Sequence, residues 1–301
     1  MGRRTVVAMT RINTPFTARS TAAEVLAGVD LTGRRILITG GGSGLGRAAA
    51  DALRDAGAEV VTPTRRELDL ADLDAVRAYA AAWSGPVDAV IANAGIMAVP
   101  ERRTAANGWE LQLATNFLGH FALITGLREH YTPGARVVLV SSGAQLRAGV
   151  DLDDPHFERR PYDPWTAYSQ SKSAVVLLAV AISRHLGAVS ANALAPGSIH
   201  TNLQRHIDRA TMRALGAMDE DGNLIHPDGY KTPEQGAAAE VMLAASPLLA
   251  GVTGRYFDQD NQEAEIVPGG PEPMAGVAEW SVDPAAADHL WKLAEAAVES
   301  R

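Results

Sequence analysis

The chain has no cysteine and only three lysines, Lys172, Lys231 and Lys292, although it carries 27 basic residues. The absence of cysteine excludes disulfides, thiolate nucleophiles and cysteine-ligated zinc. Its eight histidines are scattered and form no HExxH pair, so we expect no metal site. Chemistry in this chain should therefore depend on neither a thiol nor a metal ion.

A long apolar run and an excess of basic charge are also lacking. The longest apolar stretch, around residues 174–182, is about half of the ~18 residues that indicate a membrane span. The net charge of −8 argues against nucleic-acid binding, because such proteins need a basic face. We therefore expect a cytoplasmic protein with no membrane span and no nucleic-acid partner.

From residue 34 onward, short apolar runs alternate with helical patterns. Strands are predicted at 34–39, 58–62, 87–95, 135–142, 189–197 and 254–257, and helices at 44–57, 71–83, 107–131, 164–186 and 232–246. Because the runs are apolar throughout, the strands should be buried on both faces. The alternation predicts an α/β fold with a doubly wound, Rossmann-like parallel sheet and helices on both faces, in three α/β/α layers.

A single domain is predicted over residues 30–267. An N-terminal extension (1–29) precedes it, and a C-terminal extension (268–301) ends in a helix. The first 23 residues contain four arginines and no acid, a bias that a transit peptide would also show. We interpret them as a solvated extension, because chain termini are commonly loose.

Polar or glycine-rich clusters follow the predicted strands, where an open parallel sheet binds its ligands. In the first, "TGGGSGLG" (39–46), glycines allow a phosphate to approach the backbone, and the following helix offers free N–H groups. Arg47-Ala48 stand where a P-loop needs lysine and a hydroxyl, which disfavours an ATPase or GTPase. The remaining pattern is T-G-x-x-x-G-x-G.

Several further motifs follow in order: "NAG" (93–95), "TNFLGH" (115–120), "VSS" (140–142), "YSQSK" (168–172) and "PGSIHT" (196–201). Together with the glycine loop they resemble the short-chain dehydrogenase/reductase family over about residues 30–260. The loop lengths and the segment from residue 231 resemble its retinol-dehydrogenase-like branch. The resemblance implies an NAD(P)-dependent oxidoreductase that transfers hydride between a nicotinamide and an alcohol or carbonyl.

The resemblance also implies the site residues. The catalytic group comprises Asn116, Ser142, Tyr168 and Lys172. The cofactor-binding group comprises Gly40, Ser43, Gly44, Leu45, Gly46, Arg65, Asp69, Leu70, Asn93, Gly95, Tyr168, Lys172, Pro196, Ile199 and Thr201.

The chemistry of these residue types agrees with that assignment. Tyr168 would be the acid/base, but tyrosine has an ordinary pKa of ~10. Lys172, one helical turn away, would lower that pKa and bind the ribose. The planar guanidinium of an arginine would not replace the compact ammonium of lysine in this role. Ser142 would orient the substrate oxygen: strand alternation sends the side chains of Ser141 and Ser142 to opposite faces, and the resemblance favours the second serine. Asn116 would hold a water that connects Lys172 to solvent.

The cofactor is predicted to be NADP rather than NAD. In NAD enzymes an acid at the end of the second strand bonds the ribose hydroxyl, whereas arginine suits the NADP phosphate. Here Thr64 holds that position, and Arg65 and Arg66 follow. We expect Arg65 to pair with the phosphate, although Glu67 lies close and a solvated loop arginine is the competing interpretation.

The substrate is expected to be an apolar alcohol, ketone or aldehyde, bound by the loops at 143–164 and 198–230. Residues that could line its pocket, or equally belong to the core, are Leu146, Phe157, Tyr162, Trp165, Leu203 and Leu215. An epimerase or a biosynthetic-intermediate reductase on the same fold, or a non-catalytic NADP-binding sensor, are the alternatives. The apolar run after Lys172 would suit a homodimer or homotetramer, or simple burial against the sheet.

Overall fold

The computed structural model describes residues 11–187, 189–214, 216–225, 230–272 and 274–300. Within them, the central strands are β1 (Arg35–Ile38), β2 (Glu59–Val61), β3 (Val87–Ala92), β4 (Tyr131–Val140), β5 (Ser190–Leu194) and β6 (Tyr256–Phe257). They pair in parallel in the order β2-β1-β3-β4-β5-β6. The predicted Rossmann-like parallel sheet is confirmed.

Helices cover both faces of this sheet. They are α1 (Ala22–Val25), α2 (Gly44–Asp55), α3 (Leu73–Ala81), α4 (Leu111–Leu113), α5 (Gly119–Gly126), α6 (Pro164–His185), α7 (Arg209–Ala214), α8 (Pro233–Gly236), α9 (Ala238–Ala245) and α10 (Pro284–Glu299). On β4, Val137 and Leu139 face the core under α5 and α6, whereas Val138 and Val140 face the core under α2 and α9. Alternating side chains of one apolar strand thus supply two cores, which is why the strand sequence shows no polar alternation.

The predicted helix over 107–131 is interrupted. A π-helical turn at Ala114–Leu118 separates α4 from α5, and β4 already begins at Tyr131, four residues before the predicted strand. Two features shorten the helix: the Glu110 carboxylate caps α4 at its start, and Tyr131 pairs with Val87 of β3. The π-helical turn contains Asn116, one of the predicted catalytic residues.

Residues 11–23 differ from the predicted solvated segment, and the packing continues into the rest of the N-terminal extension. Ala22, Val25 and Leu26 are buried against the core under α9. The backbone N–H of Ile12 donates to the Glu263 carboxylate at 2.8 Å. A capping box at Thr21 starts α1: the Thr21 hydroxyl accepts from the Glu24 N–H, and the Glu24 carboxylate accepts from the Thr21 N–H. This Thr-x-x-Glu pattern is a sequence signal for the start of a helix. Residues 1–10 of the predicted extension lie outside the described residues.

The C-terminal segment contains two short paired strands, β7 (Ile266–Val267) and β8 (Val277–Ala278), and the expected terminal helix α10. Helix α10 packs along α6, and its Trp291 lies edge-on to Phe121 with ring centroids 4.8 Å apart. One outer face of α6 is therefore covered by the same chain. The domain boundaries at residues 30 and 267 stay predictions. Short 3₁₀ turns lie between these elements, at Arg128–His130, Gly143–Leu146, Asn202–His206, Pro247–Leu249 and Glu279–Ser281.

Candidate active site

A cavity of about 1030 Å³ lies at the carboxyl edge of the sheet. Most of the predicted site residues line it: Gly40, Ser43, Gly44, Leu45, Gly46, Arg65, Asn93, Gly95, Ser142, Tyr168, Lys172, Pro196, Ile199 and Thr201. Asn116, Asp69 and Leu70 do not. Motifs spread over more than 160 residues of sequence are thus brought to one cavity by the parallel strand order.

The glycine loop leaves no room for side chains at Gly40, Gly41 and Gly46. A Cβ on Gly46 would lie 2.4 Å from Asn93 Nδ2 and 2.7 Å from the Gly40 carbonyl oxygen. Gly40 also has a φ of +70°, which favours glycine. Ser43 at the N-cap of α2 makes no side-chain capping bond, so the first N–H groups of the helix face the cavity without that cap. The loop is therefore built for close approach of an anionic group to the backbone.

Tyr168 lies on the first turns of α6, with only 4% of its surface exposed. Burial raises its pKa to about 12, and a hydrogen bond with the Ser142 side chain acts in the opposite direction. These two effects account for the shift, and the predicted lowering of this pKa by Lys172 stays a prediction. Lys172 Nζ lies 5.7 Å from the Tyr168 ring centroid. At neutral pH the phenol is therefore protonated.

Lys172 is also buried, and its Nζ donates to the Val140 carbonyl oxygen at 2.8 Å. Burial lowers its pKa to about 8, and the charge of Glu240, on α9, opposes this change. The ammonium is thus held at the end of β4, within the cavity wall.

The two serines after β4 are separated as strand alternation predicts. Ser141 is buried, and its hydroxyl donates to the Lys172 backbone carbonyl at 2.8 Å. Ser142 lines the cavity, bonds Tyr168 and caps the following 3₁₀ turn through the N–H of Ala144. The hydroxyl of Ser142 is therefore turned to Tyr168, whereas that of Ser141 is turned to the backbone of α6.

Asn116 lies behind the cavity. Its amide accepts from the Ile96 N–H at 2.9 Å, donates to the Ile96 carbonyl at 3.0 Å and donates to Ser171 Oγ at 2.9 Å. A Cβ on Gly95 would lie 3.1 Å from Asn116 Oδ1 and 3.8 Å from Lys172 Nζ, so the residue is close to the lysine. The amide holds the chain after the N-A-G motif against α6, and the predicted role in holding water stays a prediction.

Two predicted cofactor-binding residues, Asp69 and Leu70, also lie away from the cavity lining. Leu70 is buried in the core under α3 and α5. Asp69 accepts from Arg65 Nε at 3.1 Å. Arg65 itself lines the cavity, with 78% of its side chain exposed.

Sequence reasoning missed part of the cavity wall. Leu146, Trp165 and Leu203 were candidates and line it, whereas Phe157 and Tyr162 do not, and Leu215 lies outside the described residues. The additional lining residues include Met97, Ile207, Gly270, Pro271, Glu272, Met274 and Ala275. Buried Gln145 holds this C-terminal segment, since it donates to the Gly276 carbonyl and accepts from the Ala278 N–H. The available sequence signal was a glutamine three residues after Ser142, but no neighbouring residue indicates what it binds.

Neither metal ligation nor a membrane span was found in the described part of the chain. Its His, Asp and Glu side chains form no cluster of three or more that could hold a metal ion. Its helices include none with the length and apolar character to cross a membrane.

Comparison with known proteins agrees with this geometry. The short chain dehydrogenase family model matches residues 66–211. A "Probable oxidoreductase" of Streptomyces antibioticus is 53% identical over 290 residues, covering 88% of this chain and 97% of the relative. A short-chain dehydrogenase/reductase of Penicillium roqueforti is 36% identical, covering 87% and 79%. Human retinol dehydrogenase 14 is 33% identical, covering 88% and 86%.

Solved structures extend the comparison. An uncharacterised protein from Mycobacterium paratuberculosis has a TM-score of 0.69 and 32% identity, covering 96% of this chain and 99% of its own. A 3-alpha-hydroxysteroid dehydrogenase from Pseudomonas, solved with NADH, has a TM-score of 0.59 and 25% identity, covering 74% and 94%. The chain belongs to the short-chain dehydrogenase/reductase family, with retinol-dehydrogenase-like relatives, and is an NAD(P)-dependent oxidoreductase.

Proposed function

We propose that this protein is an NADP-dependent oxidoreductase that interconverts an apolar alcohol and its carbonyl compound. One observation carries the proposal: the hydrogen-bonded pair of Tyr168 and Ser142 lies in the same cavity as the glycine loop. A substrate oxygen at this pair would therefore be held beside the dinucleotide.

The residues of the loop fit a dinucleotide, since Gly40 and Gly46 lack room for a Cβ and the N-terminus of α2 faces the cavity. The bound nicotinamide would supply or accept the hydride. Ser142 would donate to the substrate oxygen, and Tyr168 would give that oxygen a proton or remove one. Lys172 would bind the ribose and stabilise the phenolate form when it arises. Asn116 would keep the N-A-G segment and α6 in register.

The preference for NADP is supported by Arg65. Its guanidinium lies on the cavity wall after β2, where a carboxylate would repel the 2′-phosphate. Asp69 pairs with Arg65 in this structure. A bound phosphate would compete with that carboxylate for the guanidinium. Arg65 should therefore contribute to NADP affinity by exchanging partners.

The substrate class is supported by the surroundings of Tyr168. Its ring packs with Met97 and Ala98, and Trp165, Leu203 and Ile207 pack against this cluster. Apolar groups around the reacting oxygen exclude water and favour an apolar substrate. The name of human retinol dehydrogenase 14 also indicates an apolar alcohol.

The predicted homodimer or homotetramer remains a proposal with one constraint. Because α10 covers part of α6, an assembly would have to use another face or displace this helix. Light scattering of the full chain measures the mass directly.

The test is a scan of apolar alcohols, aldehydes and ketones by NADPH absorbance, with Tyr168→Phe beside the wild type. We expect Tyr168→Phe to bind NADPH with unchanged affinity and to lose roughly 10²–10⁴-fold in turnover, the usual contribution of acid–base catalysis. Retained turnover would remove Tyr168 from the mechanism. Dinucleotide binding by the wild type without turnover of any compound would favour the sensor.

A further inference from the structure

Three parts of the candidate site meet at one buried histidine that the proposed mechanism does not use. His120, on the first turn of α5, is 1% exposed. Its Nδ1 lies 2.9 Å from the Asn116 carbonyl oxygen, and its Nε2 lies 2.9 Å from Thr39 Oγ1. Thr39 directly precedes the first glycine of the loop, and Asn116 lies in the π-helical turn.

The direction of each hydrogen bond follows from what the groups can donate. A carbonyl oxygen only accepts, so Nδ1 of His120 carries the proton. Burial lowers the pKa of His120 to about 4, with the nearby Lys172 charge acting in the same direction, so the ring is neutral at pH 7. Nε2 is therefore an acceptor, and the Thr39 hydroxyl donates to it. The Ile91 carbonyl, at 3.5 Å, is the more distant acceptor for that hydroxyl proton.

The Thr39 hydroxyl then accepts from the N-A-G segment. The backbone N–H groups of Asn93 and Ala94 both lie 3.1 Å from Thr39 Oγ1. The Asn93 side chain also donates to the Thr39 carbonyl at 2.9 Å. The end of β1 and the end of β3 are thus joined around one hydroxyl whose single proton is committed to His120.

On its other side, His120 is connected to α6. Asn116 donates to Ser171 Oγ, and Ser171 in turn donates to the Tyr168 carbonyl at 2.7 Å. In the π-helical turn, the Gly119 N–H donates to the Ala114 carbonyl, five residues earlier. The Asn116 carbonyl, which belongs to this turn, accepts from the His120 ring. A continuous set of directed bonds therefore runs from the glycine loop to the helix that carries Tyr168 and Lys172.

We propose that His120 is a positioning residue that fixes the nucleotide loop at Thr39 relative to Asn116 and α6. This inference rests on the proposed function, because its purpose is to align a bound nicotinamide with Tyr168. A small misplacement of reacting groups can cost about 10²-fold in rate. Losing His120 should therefore slow turnover more than it weakens dinucleotide binding.

The test compares His120→Phe with two variants that each keep one bond. Asparagine can place its NH₂ near the position of Nδ1, and glutamine can place its carbonyl oxygen near that of Nε2. We expect His120→Phe to lower kcat roughly 10- to 100-fold while the Kd of NADPH changes about threefold or less. His120→Asn and His120→Gln should retain intermediate kcat values. Thr125→Val is the control, because within the described residues the Thr125 hydroxyl, on the same helix, donates to carbonyls of that helix alone.

Unchanged kcat in His120→Phe would overturn the proposal, as would equal losses in kcat and in NADPH affinity. If His120→Phe does not fold, wild-type kcat in both His120→Asn and His120→Gln would overturn it. Tyr168→Phe is assayed in parallel: turnover that survives this change refutes the proposed function. Turnover lost in Tyr168→Phe but kept in His120→Phe refutes only the role of His120.

Discussion

The nucleotide side and the substrate side of the cavity are built in different ways. The nucleotide side uses short continuous motifs at strand ends, such as 39–46 and 93–95. The substrate side is assembled from single apolar residues of distant segments, such as Leu146, Leu203 and Met274. The first requires backbone close to the ligand, whereas the second requires only that space be filled by side chains of suitable size.

This difference determines how each side should respond to substitution. A side built on close backbone approach has no tolerance for added atoms. A side built from apolar surface should lose affinity gradually, in proportion to the area removed. Substitutions on the nucleotide side should therefore have larger effects than truncations on the substrate side.

Among substitutions that separate the two sides, the largest effect is expected for Gly46→Ala. The new Cβ would lie 2.7 Å from the Gly40 carbonyl oxygen, a backbone atom that cannot rotate away. Overpacking of this kind costs up to about 3 kcal/mol, or roughly 150-fold in NADPH affinity if the cost falls on the bound loop. Isothermal titration with NADPH measures it. Gly42→Ala is the matched control, because a Cβ there meets no atom within 4 Å. Equal affinities of the two variants would contradict this account.

The same contrast explains what could be predicted from sequence. The strands, the glycine loop and the placement of Tyr168, Ser142 and Lys172 depend on local patterns, so sequence reasoning located them. The π-helical turn, the Gln145 anchor and the bonds of His120 depend on partners far away in the chain. The high pKa of Tyr168 likewise depends on burial by Met97 and Trp165, which its helix does not encode.

Arg65→Ala tests the part of the nucleotide side that we propose to bind the 2′-phosphate. We expect the Michaelis constant for NADPH to rise roughly 10- to 100-fold, the usual value of a charge-assisted hydrogen bond, with little change for NADH. Initial rates with both cofactors measure this. Arg66→Ala is the control, because the adjacent Arg66 is exposed and does not line the cavity. Equal changes for NADPH and NADH would remove the phosphate assignment.

Leu203→Ala tests the substrate side. The change removes apolar surface from the cavity wall, so the Michaelis constant of an apolar substrate should rise roughly 5- to 20-fold. The NADPH constant should not change. Leu248→Ala serves as the control, since Leu248 is 57% exposed and lies away from the cavity. A larger effect on NADPH than on the substrate would contradict the division into two sides.

Glu240 is a buried acidic residue outside the cavity lining that interacts with the charge of Lys172. It is fully buried on α9, and neither carboxylate oxygen has a hydrogen-bond partner in the part of the chain that the structure describes. Burial raises its pKa to about 8, and the Lys172 charge opposes this rise. The two buried groups therefore favour each other's charged forms.

The smallest effect is expected for Glu240→Gln, and it should be visible only as a change with pH. The Glu240 charge raises the pKa of Lys172, which burial lowers to about 8. The amide removes that contribution, so Lys172 should lose its proton at lower pH. If turnover needs the ammonium, the alkaline fall of kcat/KM should begin at lower pH, while the rate at neutral pH changes less. Glu234→Gln, on the exposed surface of α8, controls for net charge. An unmoved alkaline fall, or one moved to higher pH, would separate Glu240 from the catalytic lysine.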